Sequence, residues 1–244
     1  MLIETYFQAL QAKIAEIAAD PAPIRQAAKL CADSLAKGGV IHIFDSGHMI
    51  SSELIYRAGG LAALSGLTFG LNVNQRVLTR STTNPPPDNT LSYGYIEHVF
   101  DTNQLRPGDV LFVGSVSGKT ANVVEVALQA RAHGLKVIAV TALAYSSKLA
   151  SEHPSGKHLY EAAELVLNNH APYGDAMLSV DGLEYPICPA SGLGAAAVMW
   201  AVVAGIVEEM LARGLQPTIF PSINRPEGRD LVKQVEADAL RKGY

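Results

Sequence analysis

The stretch Asp109–Thr141, DVLFVGSVSGKTANVVEVALQARAHGLKVIAVT, leaves the chain few folds to choose from. Val110–Val113 is short, apolar and rich in β-branched residues, which suits a strand buried on both faces of a parallel sheet. Val137–Val140 repeats that character. Between them Val123, Val124, Ala127, Leu128 and Arg131 follow the helical period, and Gly134 closes the helix as a residue tolerant of the left-handed conformation. The reading is strand, loop, helix, strand. Its loop, Ser115-Val116-Ser117-Gly118-Lys119-Thr120, sets hydroxyls and a glycine where the first helical N–H groups are unpaired and the helix dipole is positive. That arrangement suits a phosphate.

Two better-known anion motifs are excluded. A P-loop needs a glycine, four intervening residues and then Gly-Lys-Ser/Thr. Counting back from Gly118-Lys119-Thr120 lands on Val113, and Gly114 comes one residue too late to wrap a triphosphate. The string Gly192-Leu193-Gly194-Ala195-Ala196-Ala197 imitates a dinucleotide fingerprint, but it follows Pro186-Ile187-Cys188-Pro189, whose prolines argue against a central strand. No ribose-binding acid follows in a second strand.

The rest of the chain fits one α/β domain. Residues 2–19 carry Leu2, Tyr6, Leu10, Ile14 and Ile17 on one helical side, and Asp20-Pro21-Ala22-Pro23 breaks that helix. A second helix runs from Ile24 to Lys37 and ends at Gly38-Gly39. The first strand, Val40–Phe44, leads into Asp45-Ser46-Gly47-His48 and a helix expected over Met49–Leu64. Residues 68–75 read as a second strand, 84–89 as a proline-rich surface loop, 91–103 as a helix, and Leu165–Leu167 as a strand ending in Asn168-Asn169-His170. Pro172-Tyr173-Gly174-Asp175 is a loop of the kind that overlies a pocket, and Asp181-Gly182 is a turn. Ser191 opens the most apolar helix, Gly192–Arg213, whose uncharged run Leu193–Val207 is too short for a bilayer core. A polar helix over Glu227–Arg241 follows an extended tail.

Composition narrows the function. A formal charge of −4 argues against a general nucleic-acid binder. Cys31 and Cys188 form no CxxC pair, and no signal-peptide pattern opens the chain, so reduced thiols in a cytoplasmic protein are expected. His/Cys clusters with zinc spacing are absent, so neither a metal nor another cofactor is expected.

The string SVSGKTANVVEVALQARAHGLKVIAVT resembles the S-x-S-G-x-T strand–loop–helix of the sugar isomerase (SIS) domain. FDSGHMISSEL, SGKHLYEAAELVLNNHAPYGDAML and the late helix SGLGAAAVMW extend the resemblance over nearly the whole chain, to poorly characterised bacterial SIS-domain phosphosugar-binding proteins. It implies a three-layer α/β sandwich with a central, mostly parallel sheet (flavodoxin-like), preceded by N-terminal helices. The division is 1–37 for the helical pair, 38–214 for the core and 215–244 for the tail, all in a single domain. The implied ligand is a sugar phosphate, bound by a homodimer or tetramer, with neither nucleic acid nor membrane as partner. The implied binding residues are Ser46, Gly47, His48, Ser115, Ser117, Gly118, Thr120 and Ser191.

Aldose–ketose isomerisation needs a group that moves a proton between adjacent sugar carbons. Glu53, Glu97 and His170 are the candidates, with His48 and His98 beside them. The family pattern places a glutamate deeper in the first-loop helix, where this sequence has Tyr56-Arg57 and Glu53 comes a turn earlier. The reading is a sugar-phosphate isomerase in carbohydrate metabolism. A lyase or etherase on the same ligands and a non-catalytic sugar-phosphate sensor are the alternatives, since isomerase and lyase both begin by taking a proton beside a carbonyl. Tail function does not transfer, because Pro226-Glu227-Gly228-Arg229 replaces the glycine-rich stretch expected there.

Overall fold

A computed structural model of the chain describes residues 1–47, 49–68, 93–102 and 105–244. Five parallel strands form its sheet in the order β2-β1-β3-β4-β5, with β1 at Ile41–Asp45, β2 at Leu64–Gly66, β3 at Val110–Gly114, β4 at Lys136–Thr141 and β5 at Leu165–Asn168. This is the flavodoxin-like order, in which the strand sequence reverses between β1 and β3.

Every residue of β3 is buried, and the alternation of its side chains explains why. Val110 and Phe112 face one layer, and Leu111 and Val113 face the other. The first layer contains α2 (Ala22–Leu35) and α8 (Ser191–Ala212); the second contains α4 (Tyr93–Thr102), α5 (Ala121–Ala132) and α7 (Leu159–Ala162). A strand covered on both sides needs apolar residues at every position. Truncating the fully buried Phe112 to alanine would cost about 3–5 kcal/mol.

The helix α1 (Leu2–Ala19) precedes α2 and touches α8. It buries only Ile17 and leaves Leu2, Ile3, Phe7 and Ile14 exposed. By length and composition α8 resembles a membrane span, but Val198, Met199, Val202, Val203 and Ile206 put its inner face in the core against α2. Short β6 (Ala176–Leu178) and β7 (Ile187–Pro189) make an antiparallel ribbon outside the main sheet, so the proline-flanked segment is a strand but not a central one. The C-terminal helix α9 covers Gly228–Lys242.

One expected element is much shorter than its sequence suggests. The helix anticipated over Met49–Leu64 is a single turn, α3 (Ser51–Leu54). Ile55 is extended, and Tyr56 and Gly59 have positive φ. The backbone beyond it bonds to the tail instead: Gly59 N–H donates to Phe220 O at 2.8 Å, Ala62 N–H to Thr218 O at 2.9 Å, and Phe220 N–H to Gly60 O at 2.9 Å. Two consecutive glycines make helix costly here, at about 1 kcal/mol each, and the tail offers better partners. The chain then enters β2 at Leu64, earlier than expected; residues 69–75 of the anticipated strand lie outside the described residues.

Candidate functional site

The loops after β1 and β3 emerge side by side at the reversal point, because Asp45 is in register with Gly114. Ligands of open α/β sheets bind at such a place. In the first loop, Asp45 Oδ2 accepts from Ile50 N–H at 2.7 Å and Ser51 N–H at 3.3 Å, while Oδ1 accepts from Gly47 N–H at 3.2 Å. The carboxylate therefore supplies the N-terminal cap of α3. Ser46 does not cap: its N–H and its hydroxyl both donate to Gly114 O, at 3.0 and 3.1 Å. With its proton committed, Ser46 Oγ can accept a hydrogen bond from a hydroxyl but cannot donate one to an anion. His48 lies outside the described residues.

The second loop is built like an anion cradle. Gly118 takes φ +56°, and its N–H donates to buried Ser115 Oγ at 3.3 Å, leaving the Ser115 hydroxyl proton available to a ligand. Val116 O accepts from Thr141 Oγ1 at 3.0 Å and from Ala142 N–H at 3.1 Å, which pins the loop to the end of β4. Thr120 is the extended N-cap of α5, yet its side chain makes no capping bond. Among the described residues, the N–H groups of Ser117, Lys119 and Thr120 and the hydroxyls of Ser117 and Thr120 have no hydrogen-bond partner. Unpaired donors at the start of a three-turn helix, where the dipole is positive, are the requirement for holding a phosphate.

Lys119 is turned away from that task. Its Nζ lies 2.6 Å from Glu152 Oε1, and this hydrogen-bonded ion pair raises the lysine pKa. The segment carrying Glu152 straps the loop from outside, with Glu152 N–H bonded to Lys119 O at 2.9 Å and Leu159 N–H to Gly118 O at 2.8 Å.

A third group of residues lies beyond β5. Asn168 Oδ1 accepts from Leu143 N–H and His170 N–H, both at 3.1 Å. Asn169 is fully buried and reaches Ser191 O at 3.4 Å. Gly194 permits this contact, since a Cβ there would lie 2.2 Å from Asn169 O. Asp175 accepts from Ser191 N–H at 2.7 Å and Ser191 Oγ at 2.8 Å, so Ser191, buried at the start of α8, has given up its proton as Ser46 has.

The structure brings Ser46, Gly47, Ser115, Ser117, Gly118 and Thr120 to one end of the sheet, on two adjoining loops. It does not gather the proton-transfer candidates. Glu53 follows the first loop but pairs with Arg57 at 3.3 Å. His170, at φ +57°, pairs with Glu16 of α1 at 3.4 Å and borders a cavity of about 180 Å³ with Asp20 and Asn168. Glu97 is exposed on α4, where its charge acts on His133 at the far end of α5. Sequence reasoning missed Asp45 and Asp175, the two carboxylates that shape the loops. Asp45 stood in the quoted FDSG string, but its cap acts across non-helical residues and leaves no periodic mark.

A profile of the SIS domain matches residues 5–142. The chain is 36% identical over 217 residues to a UPF0309 protein of Streptomyces avermitilis, covering 86% of this chain and 84% of the relative. Among solved structures it is similar to a phosphoheptose isomerase from Francisella tularensis, with TM-score 0.52 and 18% identity over 84% of this chain and 96% of that one. It is also similar to the phosphoheptose isomerase GmhA from Neisseria gonorrhoeae, with TM-score 0.52 and 19% identity over 84% and 97% of the two chains. Identity that low shows a shared fold and nothing more. The loop at the reversal point, the family profile across most of the sheet and the near full-length match together place the chain among the UPF0309 proteins of the SIS-domain family.

Proposed function

We propose that this chain binds a sugar phosphate at Ser115–Thr120 and interconverts its aldose and ketose forms. The observation that carries the reading is the set of unpaired donors on Ser117, Lys119 and Thr120 at the N-terminus of α5. Ser115, Ser117, Gly118 and Thr120 take the phosphate; Ser46, Gly47, His48 and Ser191 take the sugar. In the reaction a base removes the proton from the carbon beside the carbonyl while the carbonyl oxygen takes one up, giving an enediol. The base then returns its proton to the former carbonyl carbon while the neighbouring hydroxyl gives one up and becomes the new carbonyl. Glu53, Glu97 and His170 are the candidates for that base. This is also the reaction class in the names of the two phosphoheptose isomerases that share the fold.

A second reading has its own observation. Glu53, Glu97 and His170 each stand apart, two of them in ion pairs, and that favours a non-catalytic sugar-phosphate sensor. Incubation with hexose, pentose and amino-sugar phosphates, followed by NMR, separates the readings. Conversion that disappears in the Ser117→Ala/Thr120→Val variant supports the isomerase, and conversion with loss of a substituent supports a lyase or etherase. Binding without turnover supports the sensor. Failure of every phosphate to bind removes the site.

We also take the chain to be a single cytoplasmic domain that self-associates. A groove of about 500 Å³ between α1, α2 and α8, lined by Ile14, Ile17, Ile24, Ala197, Ala201 and Ala204, is continuous with the exposed apolar residues of α1. A second copy covering this face would remove it from water, at roughly 25 cal/mol per Å². Light scattering at micromolar concentration should show a dimer or larger species; a monomer contradicts the proposal.

A further inference from the structure

The loops after β4 and β5 bring two tyrosines and a lysine to the rim of the phosphate loop. Tyr145, in the short helix α6 (Leu143–Ser146), packs against the small cluster of Ala142, Ala171 and Ala190, as Val116 of that loop does, and lies within electrostatic reach of Lys119. Tyr173 meets Tyr145 edge to face, with ring centroids 5.1 Å apart at 67°. It nevertheless leaves 58% of its surface exposed. Lys148 Nζ stands 5.4 Å from the centre of the Tyr173 ring.

The group is held in place. Asp175, next but one to Tyr173, accepts hydrogen bonds from Ala190 N–H and Ser191 N–H, which bolt the base of the tyrosine loop to the start of α8. Gly174 and Asp175 turn the chain there with φ of +80° and +68°. The two lysines beside the loop also differ. Lys119 is neutralised by Glu152, whereas Lys148 has no carboxylate partner among the described residues.

An exposed aromatic ring, braced from behind beside an anion cradle, has the chemistry to receive the apolar C–H face of a cyclic sugar. An unpaired ammonium over such a ring adds positive potential to the same rim. We propose that Tyr173, braced by Tyr145, is the platform for the ring of a cyclic sugar phosphate, and that Lys148 rather than Lys119 is the cation facing the ligand. The platform selects cyclic phosphosugars over small or open-chain phosphate esters, which reach the cradle but have no ring to stack. This inference rests on the reading of Ser115–Thr120 as the phosphate site.

Calorimetry on the full chain tests it with inorganic phosphate, glycerol 3-phosphate, glucose 6-phosphate, glucosamine 6-phosphate and N-acetylglucosamine 6-phosphate. At least one cyclic ligand should bind about fivefold or more tightly than glycerol 3-phosphate. Tyr173→Ala should remove that margin and Tyr173→Phe keep it, both leaving inorganic phosphate affinity and the thermal midpoint unchanged. Lys148→Met should weaken the cyclic ligand more than Lys119→Met does. If inorganic phosphate fails to bind the unaltered protein, the phosphate-site reading falls and takes this inference with it. If phosphate binds but the cyclic ligands gain nothing over glycerol 3-phosphate, or their margin survives Tyr173→Ala, the platform alone is overturned. Lys119→Met having the larger effect overturns the assignment of the cation.

Discussion

Glu125 Oε2 and His153 Nε2 lie 2.9 Å apart, with both side chains almost wholly buried, and together they fasten the strap outside the Ser115–Thr120 loop to the second turn of α5. Glu125 Oε1 also accepts from Gln129 Nε2 at 2.7 Å, and His153 Nδ1 lies 2.7 Å from Ser155 Oγ. The same strap bonds Gly118 O and Lys119 O, so the pair restrains the cradle without touching its ligand face.

Replacing His153 by alanine should therefore leave a buried carboxylate short of a donor. A hydrogen bond to a charged group is worth about 1.5–3 kcal/mol, so urea unfolding should show a loss of that order. Amide exchange at Leu159 and Glu152 should rise as the strap loosens. An unchanged unfolding midpoint would show that the pair contributes nothing net.

The donors of the loop and its lysine should separate cleanly. Ser117→Ala with Thr120→Val removes two hydroxyls that have no other partner among the described residues, and phosphosugar affinity should fall at least about tenfold. Lys119→Met removes an exposed charge already paired with Glu152, and affinity should change by no more than about fivefold, less in salt. Calorimetry decides, and the reverse ranking would falsify the account of the cradle.

Gly118→Ala should damage stability and binding together. A side chain at φ +56° costs about 1–2 kcal/mol, which corresponds to about 2–8 °C in thermal midpoint. The added Cβ would also lie 3.1 Å from Leu159 Cβ, 3.1 Å from Ser146 Oγ and 3.2 Å from Thr141 Oγ1. Relief of that crowding must move the loop, so inorganic phosphate should bind more weakly. A variant with native affinity would mean that the loop does not need this conformation.

Two histidines should give opposite pH dependences. Asp101, 3.0 Å from His133 Nε2, and then the Gln129 carbonyl raise the His133 pKa. Its stabilising contribution is complete below about pH 6.5, the unfolded value, and disappears as pH rises through the raised value. Burial outweighs the pull of Asp109 and lowers the His42 pKa. That contribution is complete above about pH 6.5 and disappears as pH falls through the lowered value. Imidazole NMR titration should place His133 above His42, and His42→Gln should flatten the acid side of the stability curve. The opposite order of titration would contradict both assignments.

What the amino-acid order determined by itself is the local logic of the chain. A β-branched run, a hydroxyl-rich glycine loop, a periodic helix and a second β-branched run specify β3, α5 and β4, because each signal acts between residues close in sequence. The helices α1, α2 and α8 are legible for the same reason, in their periodicity or apolar length. Tertiary structure decided what depends on distant partners. The Met49–Leu64 segment is only one turn of helix because tail residues Thr218 and Phe220 take up the backbone bonds of Gly59–Ala62. Ser46 and Ser191 look alike in sequence as helix-opening serines, yet one gives its proton to Gly114 O and the other to Asp175. Tyr145 and Tyr173 meet only because β4 and β5 are neighbours in the sheet, so their loops open on the same side. Hydrogen bonds and ring contacts between loops carry no period, and three-dimensional closure alone selects them.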